Sequence, residues 1–154
     1  MPYLSQCSQQ KSHMKTELMF VLDVDDGWPP VRKECLRCID LEYGYQIQEP
    51  PLFIKDLSVG DVIEVVWGGE GEVVGWSHVE KSKRSIVWIM VSGDDSVTSA
   101  IECLKRLRCN VAEFEAYRYF AVDVPAECPV ERLDECLDAL NRERVSVAFP
   151  SFRH

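Results

Sequence analysis

The residues best suited to chemistry begin with Cys35-Leu36-Arg37-Cys38, a CxxC pair of the kind that holds zinc or carries a redox disulfide. Zinc needs two further soft ligands at matching spacing. The chain has no second CxxC, and its only histidines are His13, His78 and His154. A redox pair belongs at the start of a helix that follows a strand, whereas this one lies in an extended run. Positions three apart on a strand point to opposite faces, so the pair reads as structural, and no metal or cofactor is expected. His78 is a candidate general base, with Ser77, Ser82 and Cys109 as candidate nucleophiles. A base also needs a nucleophile within reach and an orienting group, and no Gly-x-Ser-x-Gly elbow is present. Catalysis is therefore not expected. Gly68-Gly69-Glu70-Gly71 has the glycines of a phosphate loop but lacks the following Lys-Ser/Thr and the helix that would hold the anion. It reads as a hairpin loop.

Acidic residues fall in groups: Asp23, Asp25 and Asp26; Glu70 and Glu72; Asp94 and Asp95; Glu113 and Glu115. Metal binding would require them to converge with defined geometry, which spacing does not supply. At alternating positions on a strand, Glu113 and Glu115 share one face and could meet a basic partner. Trp28, Trp67 and Trp76, where exposed, are natural anchors for a protein partner. Tyr117 and Tyr119 could stack bases on the open face of a sheet. However, the RNP1 pattern is absent and Lys81-Ser82-Lys83-Arg84 is the only compact basic patch, so nucleic acid is not the expected partner.

Those residues must be held by elements that the hydrophobic pattern defines. Residues 1–16 are polar and without period, as in a flexible arm. Residues 17–83 read as short strands separated by turn signals. The strands are Leu18 to Val24, Val31 to Leu41, Tyr45 to Gln48, Val62 to Trp67 and Glu72 to Glu80, and Gly75 permits a bulge in the last. This predicts a small, curled, barrel-like sheet. Residues 84–154 change character. Ser85 to Val91 is a nearly continuous apolar run, and Val97, Ala100, Ile101, Leu104 and Leu107 then form one helical stripe after a cap at Asp94, Asp95 or Ser96. Strands over Val111 to Ala116 and Tyr117 to Val124 lead to a second helix that opens at Pro129. Its stripe is Val130, Leu133, Leu137 and Leu140. A last strand, Val145 to Phe149, is stopped by Pro150. The order is that of a ferredoxin-like βαββαβ unit, so the fold class expected is α+β, a barrel-like N-terminal subdomain followed by a ferredoxin-like one.

Composition narrows the function. With 154 residues, 46% hydrophobic and 28% charged, the chain is globular in type. No apolar run is long enough to span a bilayer, and residues 2–10 lack the apolar core of a secretory signal. The seven cysteines, an odd number scattered through strands and helices, do not resemble a disulfide framework. Most read as buried thiols, and a cytoplasmic protein without a membrane partner is expected. Twenty-six acidic against seventeen basic residues give a charge of −9, which repels nucleic-acid backbone and attracts basic proteins.

The motifs Asp25-Asp26-Gly27-Trp28-Pro29-Pro30, Pro51 to Ile63, the strand–helix Ser85 to Leu107, and Ala121-Val122-Asp123-Val124-Pro125 together resemble a bacterial family, domain of unknown function 4265. The likeness spans Phe20 to Pro150. It implies a bacterial origin and a shared architecture, and it brings no activity or catalytic residues.

Small size, acidity and the lack of a catalytic constellation lead to the expectation of an immunity or antitoxin-type protein. It would neutralise a toxin, such as a basic nuclease, by masking its active site. The residues expected at that interface are Asp25, Asp26, Trp28, Trp67, Glu70, Glu72, Trp76, Glu113 and Glu115. The alternative is a small-molecule-binding regulatory module built on the ferredoxin-like sheet.

Overall fold

Strand β1 (Met14–Val21) turns Leu18 and Phe20 inward and Lys15, Glu17 and Met19 outward, the alternation of a sheet with one buried face. The structure is a computed structural model that describes residues 14–154. Of the arm expected over residues 1–16, residues 1–13, with His13, lie outside the described residues, while residues 14–16 are paired in β1. β1 pairs antiparallel with β2 (Lys33–Asp40), which passes to β3 (Tyr45–Ile47), β4 (Val62–Trp67) and β5 (Val73–Glu80). A parallel bridge between Phe20 and Val73 closes the five strands into a barrel. Its interior is filled by Leu18, Phe20, Leu36, Cys38, Ile47, Ile63 and Val73.

Two devices set the barrel's turns. Asp26 and Gly27 both have positive φ, 54° and 78°, and Asp25 and Trp28 exchange backbone hydrogen bonds across them. An Asp-Gly pair in this conformation matches the twist of the strands it joins. Gly44 is needed for close approach: a Cβ there would sit 2.7 Å from Val62 Cγ1 and 2.9 Å from the Ile63 carbonyl oxygen. Gly44→Ala is therefore expected to cost about 1–3 kcal/mol of stability, read by urea unfolding.

The second set of elements is β6 (Ser85–Val91), α1 (Thr98–Arg106), β7 (Asn110–Phe114), β8 (Tyr119–Val124), α2 (Val130–Asp138) and β9 (Val145–Ser151). Its strands lie in the order β7-β8-β6-β9, every neighbour antiparallel. Both helices pack on one face of this sheet, where Ala100, Leu104, Leu133 and Leu137 meet Val87, Ile89, Val122 and Val124. The fold is thus mixed α+β, strand-rich, with a closed barrel and two helices among the described residues.

Several local expectations change. Cys103 and Cys136 are joined by a disulfide, with 5.6 Å between their Cα atoms, instead of being free buried thiols. Each lies three residues after a stripe position, Ala100 and Leu133, so adjacent helices on one face bring them together. β7 stops at Phe114 because residues 115–117 form a 3-10 turn that ends on Arg118 at φ 47°. Glu113 and Glu115 therefore do not share a strand face. β9 runs through Pro150 to Ser151 with a register shift there, which an edge strand tolerates. Ser96 accepts from the Thr98 amide, while the residue at the N-cap is Val97.

The chain divides into two units, one made of the residues up to Glu49 with Gly60–Lys81, the other of Pro50–Val59 with Ser82–His154. The segment between β3 and β4 thus belongs with the four-stranded sheet, where it runs as a strap. Trp88 Nε1 donates to the Pro51 carbonyl at 2.9 Å, and the Tyr119 hydroxyl donates to that of Leu52 at 2.6 Å. Phe53 stacks on Tyr119 at 5.3 Å, and the Ser58 and Ser151 hydroxyls meet at 2.7 Å. Among the described residues no helix is long and apolar enough to cross a membrane.

Candidate functional site

In β2 the CxxC pair alternates as a strand requires, with Cys35 exposed and Cys38 buried inside the barrel. Burial pushes the Cys38 thiol up to about 12, and burial likewise pushes Cys109 up to about 12. Burial and then the Glu17 carboxylate, to which the sulfur donates at 3.4 Å, raise Cys35 as well. Low-pKa thiolate chemistry needs the opposite environment. Iodoacetamide at pH 8 is expected to modify Cys35 ahead of Cys38 and Cys109, which should react only once urea is added. The pH dependence has a definite sign. Both buried thiols keep their protons after an unfolded thiol, near 9.0, has lost its own, so stability falls as pH rises from about 9 toward about 12.

His78 is held by a buried acid. Its Nε2 lies 2.9 Å from Oδ2 of Asp61, which is wholly buried, and the edge of the Trp76 ring meets the imidazole at 5.0 Å. Register makes this pair: Ile63 of β4 faces His78 of β5, and Asp61 lies at the foot of β4. The orienting half of a base is therefore present, but the candidate nucleophiles are not brought to it. Ser77 alternates with His78 and points out of the barrel. Ser82 donates to the Val59 carbonyl at 2.7 Å, and Cys109 is packed in the helix-side core.

A second buried acid, Asp123, is fully enclosed in the other unit. Arg84 grips it with Nε and Nη2 at 2.8 and 2.7 Å, and Asn110 adds a bond at 2.8 Å. The hydrogen bonds from Arg84 to the Asp123 carboxylate hold its guanidinium above its ordinary value, against the opposing effect of burial. Ser85 is shared by the His154 ring at 2.6 Å and by the Arg153 amide, while His154 Nε2 reaches the Pro125 carbonyl. The first network joins the residue before β6 to β7 and β8, and the second joins the start of β6 to Arg153, His154 and Pro125. Among the described residues no group of three or more His, Cys, Asp or Glu is placed to hold a metal ion.

The residues expected to meet a partner are distributed as follows. Asp25, Asp26 and Trp28 form the exposed β1–β2 turn, with Trp28 38% exposed. Trp67, 50% exposed, Glu70 and Glu72 flank the β4–β5 turn. Trp67 meets Tyr45 edge-on at 6.0 Å. Trp76 is half-buried opposite Val65. Glu113 and Glu115 are exposed but belong to the other unit. Tyr119 is buried under Phe53 and Leu52, so the sheet face suggested for stacking bases is covered there. Tyr117 stacks on Phe114 instead. Sequence reasoning missed Val21, Val66 and Val74, which are exposed on the barrel. Their signal was the apolar neighbours Phe20-Val21, Val65-Val66 and Val73-Val74, which put apolar side chains on both faces of a strand.

Comparison with known proteins adds three findings. A family model described as "Domain of unknown function (DUF4265)" matches residues 34–147. No curated protein sequence matches the chain. A crystal structure of a hypothetical protein from Neisseria gonorrhoeae is similar in fold, with a TM-score of 0.72 at 18% identity, over 92% of this chain and 98% of that one.

Proposed function

This chain belongs to the DUF4265 family, and on that footing we propose that it is a non-catalytic protein-binding protein of the immunity or antitoxin type. It would neutralise a basic toxin domain by covering that domain's active site. The observation that carries this reading is the surface of the barrel unit. Trp28, Tyr43, Val66, Trp67 and Val74 are exposed there among Asp23, Asp25, Asp26, Glu64 and Glu70. Large apolar side chains set among like charges suit a partner of opposite charge, and acidic side chains speed its approach. We also read the second unit as ferredoxin-like, supported by the strand order β7-β8-β6-β9 with helices after β6 and β8. The cytoplasm is part of the proposal, with the Cys103–Cys136 disulfide weighing against it.

Affinity capture from the host at low and high salt tests the function. One stoichiometric basic protein, held at low salt and inhibited by the purified chain, is the expected result. Self-association alone, or a captured protein whose activity the chain leaves unchanged, would sink the reading.

A small-molecule reading draws on one observation, which lies on the barrel and not on the ferredoxin-like sheet where that site was expected: a cleft of about 430 Å³ lined in part by Lys15, Glu17, Arg37 and Gln48. That volume suits a metabolite. Stabilisation by a small ligand alone in a thermal-shift panel would select this reading.

A further inference from the structure

The outer face of the barrel carries an apolar strip with a carboxylate at its edge. β1 and β5 run parallel with Phe20 opposite Val73. Both of these are buried, whereas the next residues, Val21 and Val74, are exposed; Val74 is the extra residue of a bulge, since Trp67 pairs with Val73 and Val66 with Gly75. On β4, Val66 pairs with Gly75. The three valines are 44%, 54% and 60% exposed, and Met19, 39% exposed, extends the strip along β1. Gly75 offers no side chain to cover Val66. A Cβ there would lie 3.6 Å from it, at ordinary contact distance, so a shallow notch is left open beside the valine.

Glu72 borders this strip. Its side chain lies down over Gly68, where an added Cβ would fall 1.8 Å from Glu72 Oε1 and 2.9 Å from Val74 Cγ1. The carboxylate and the valine methyl thus flank the same point. Oε1 receives only a long contact from the Glu70 amide, 3.5 Å. Oε2 is buried and has no hydrogen-bond partner among the described residues. A carboxylate oxygen kept from water without a donor is unfavourable, and a Glu72 side chain that lifts off Gly68 to meet a cationic donor brought from outside would be satisfied.

We propose that this face docks a partner protein that brings a lysine or arginine to Glu72 and lays apolar side chains over Val21, Val66 and Val74. This rests on the protein-binding reading above and names its surface and the chemistry of its partner. Charge decides the occupant. A second copy would bring another chain of net charge −9 against the same carboxylates, whereas a basic protein gains both the apolar cover and the ion pair. The apolar part follows the pattern of interface cores, in which buried apolar anchors are enclosed by a charged rim.

The test is site-specific photo-crosslinking of the full chain in its host, with p-benzoylphenylalanine placed at Val74 and, separately, at Trp28 and Tyr117. The expected result is a cross-link from position 74 to a peptide of another protein that carries lysine or arginine between apolar residues. With the purified pair, Glu72→Gln should then weaken binding by about tenfold or more. The thermal midpoint of the free E72Q chain should not fall, because a carboxylate without a donor has been removed. Gly75→Leu, which fills the notch, should likewise weaken the complex. Cross-links from position 28 or 117 alone would overturn this face and leave the protein-binding reading standing. No cross-link from any position would overturn both. A peptide from a second copy, or a Kd unmoved by E72Q, would overturn the proposal.

Discussion

Arg84→Met is expected to destabilise the unit built on the four-stranded sheet by about 3–5 kcal/mol, more than any other single change described here. The reason is an asymmetry in burial. Asp123 is wholly enclosed, while the Arg84 side chain is 27% exposed. Removing the guanidinium leaves a buried carboxylate with one remaining donor, Asn110, and a buried charge that has lost its partner is strongly unfavourable. The reciprocal change is milder. Asp123→Asn frees a guanidinium that can turn toward water, and about 1–2 kcal/mol is expected. The double variant Arg84→Met with Asp123→Leu should recover much of the loss, because apolar replacement of a whole buried pair is often neutral. Hydrogen exchange at the β8 amides reads this unit separately from the barrel. Equal effects of the two single variants would show that the pair is less buried than its geometry implies.

The second large effect belongs to the Cys103–Cys136 bridge. Its cysteines are 33 residues apart, and loop-closure entropy for that separation corresponds to about 3–4 kcal/mol at 25 °C. Reduction, or Cys103→Ser, is expected to lower the unfolding free energy of the helix-bearing unit by about 2–4 kcal/mol. Both cysteines lie in that unit, so the barrel's own unfolding should stay put. Urea titrations with and without reductant, followed by hydrogen exchange in α1 and β4, separate the two. If both elements lose protection together, the units unfold as one and the assignment of the effect to the helices fails.

The bridge also marks where sequence reading reached its end. β4 and β6 are bounded by strong turn signals, and their observed limits, Val62–Trp67 and Ser85–Val91, coincide with the apolar runs. The helices were legible because Leu104, Leu133 and Leu137 repeat at helical spacing and are buried. Pairing between distant elements was not legible. Cys103 and Cys136 meet only once two helices share a face, and His78 finds Asp61 only through the register of a hairpin. The run Leu52-Phe53-Ile54 with Leu57 carried a signal that a turn does not need: Ile54 and Leu57 are buried. Its meaning depends on Tyr119 and Trp88, far along the chain. Asp25, Asp26, Trp28 and Glu70 fell on exposed turns, as polar and glycine-rich stretches do, whereas Trp67, Trp76 and Glu113 lie in strands. The exposed valines did not stand out, because a strand with valine at adjacent positions does not declare which face is wet.

The strap over residues 50–59 governs how the protein can be made and divided. Ser58 touches Ser151 across 93 residues of chain, so on the ribosome that contact waits until Ser151 has emerged. Until then the strap is tied to the sheet through Trp88 and Tyr119 alone and β6 lacks its β9 neighbour, an interval in which nascent chains are open to aggregation. The same wiring sets a rule for dissection. A fragment cut at Ser82 carries the sheet without its strap, and a fragment ending at Lys81 carries a strap with nothing beneath it. A separable unit would keep residues 50–59, with a new linker from Val59 to Ser82 in place of β4 and β5.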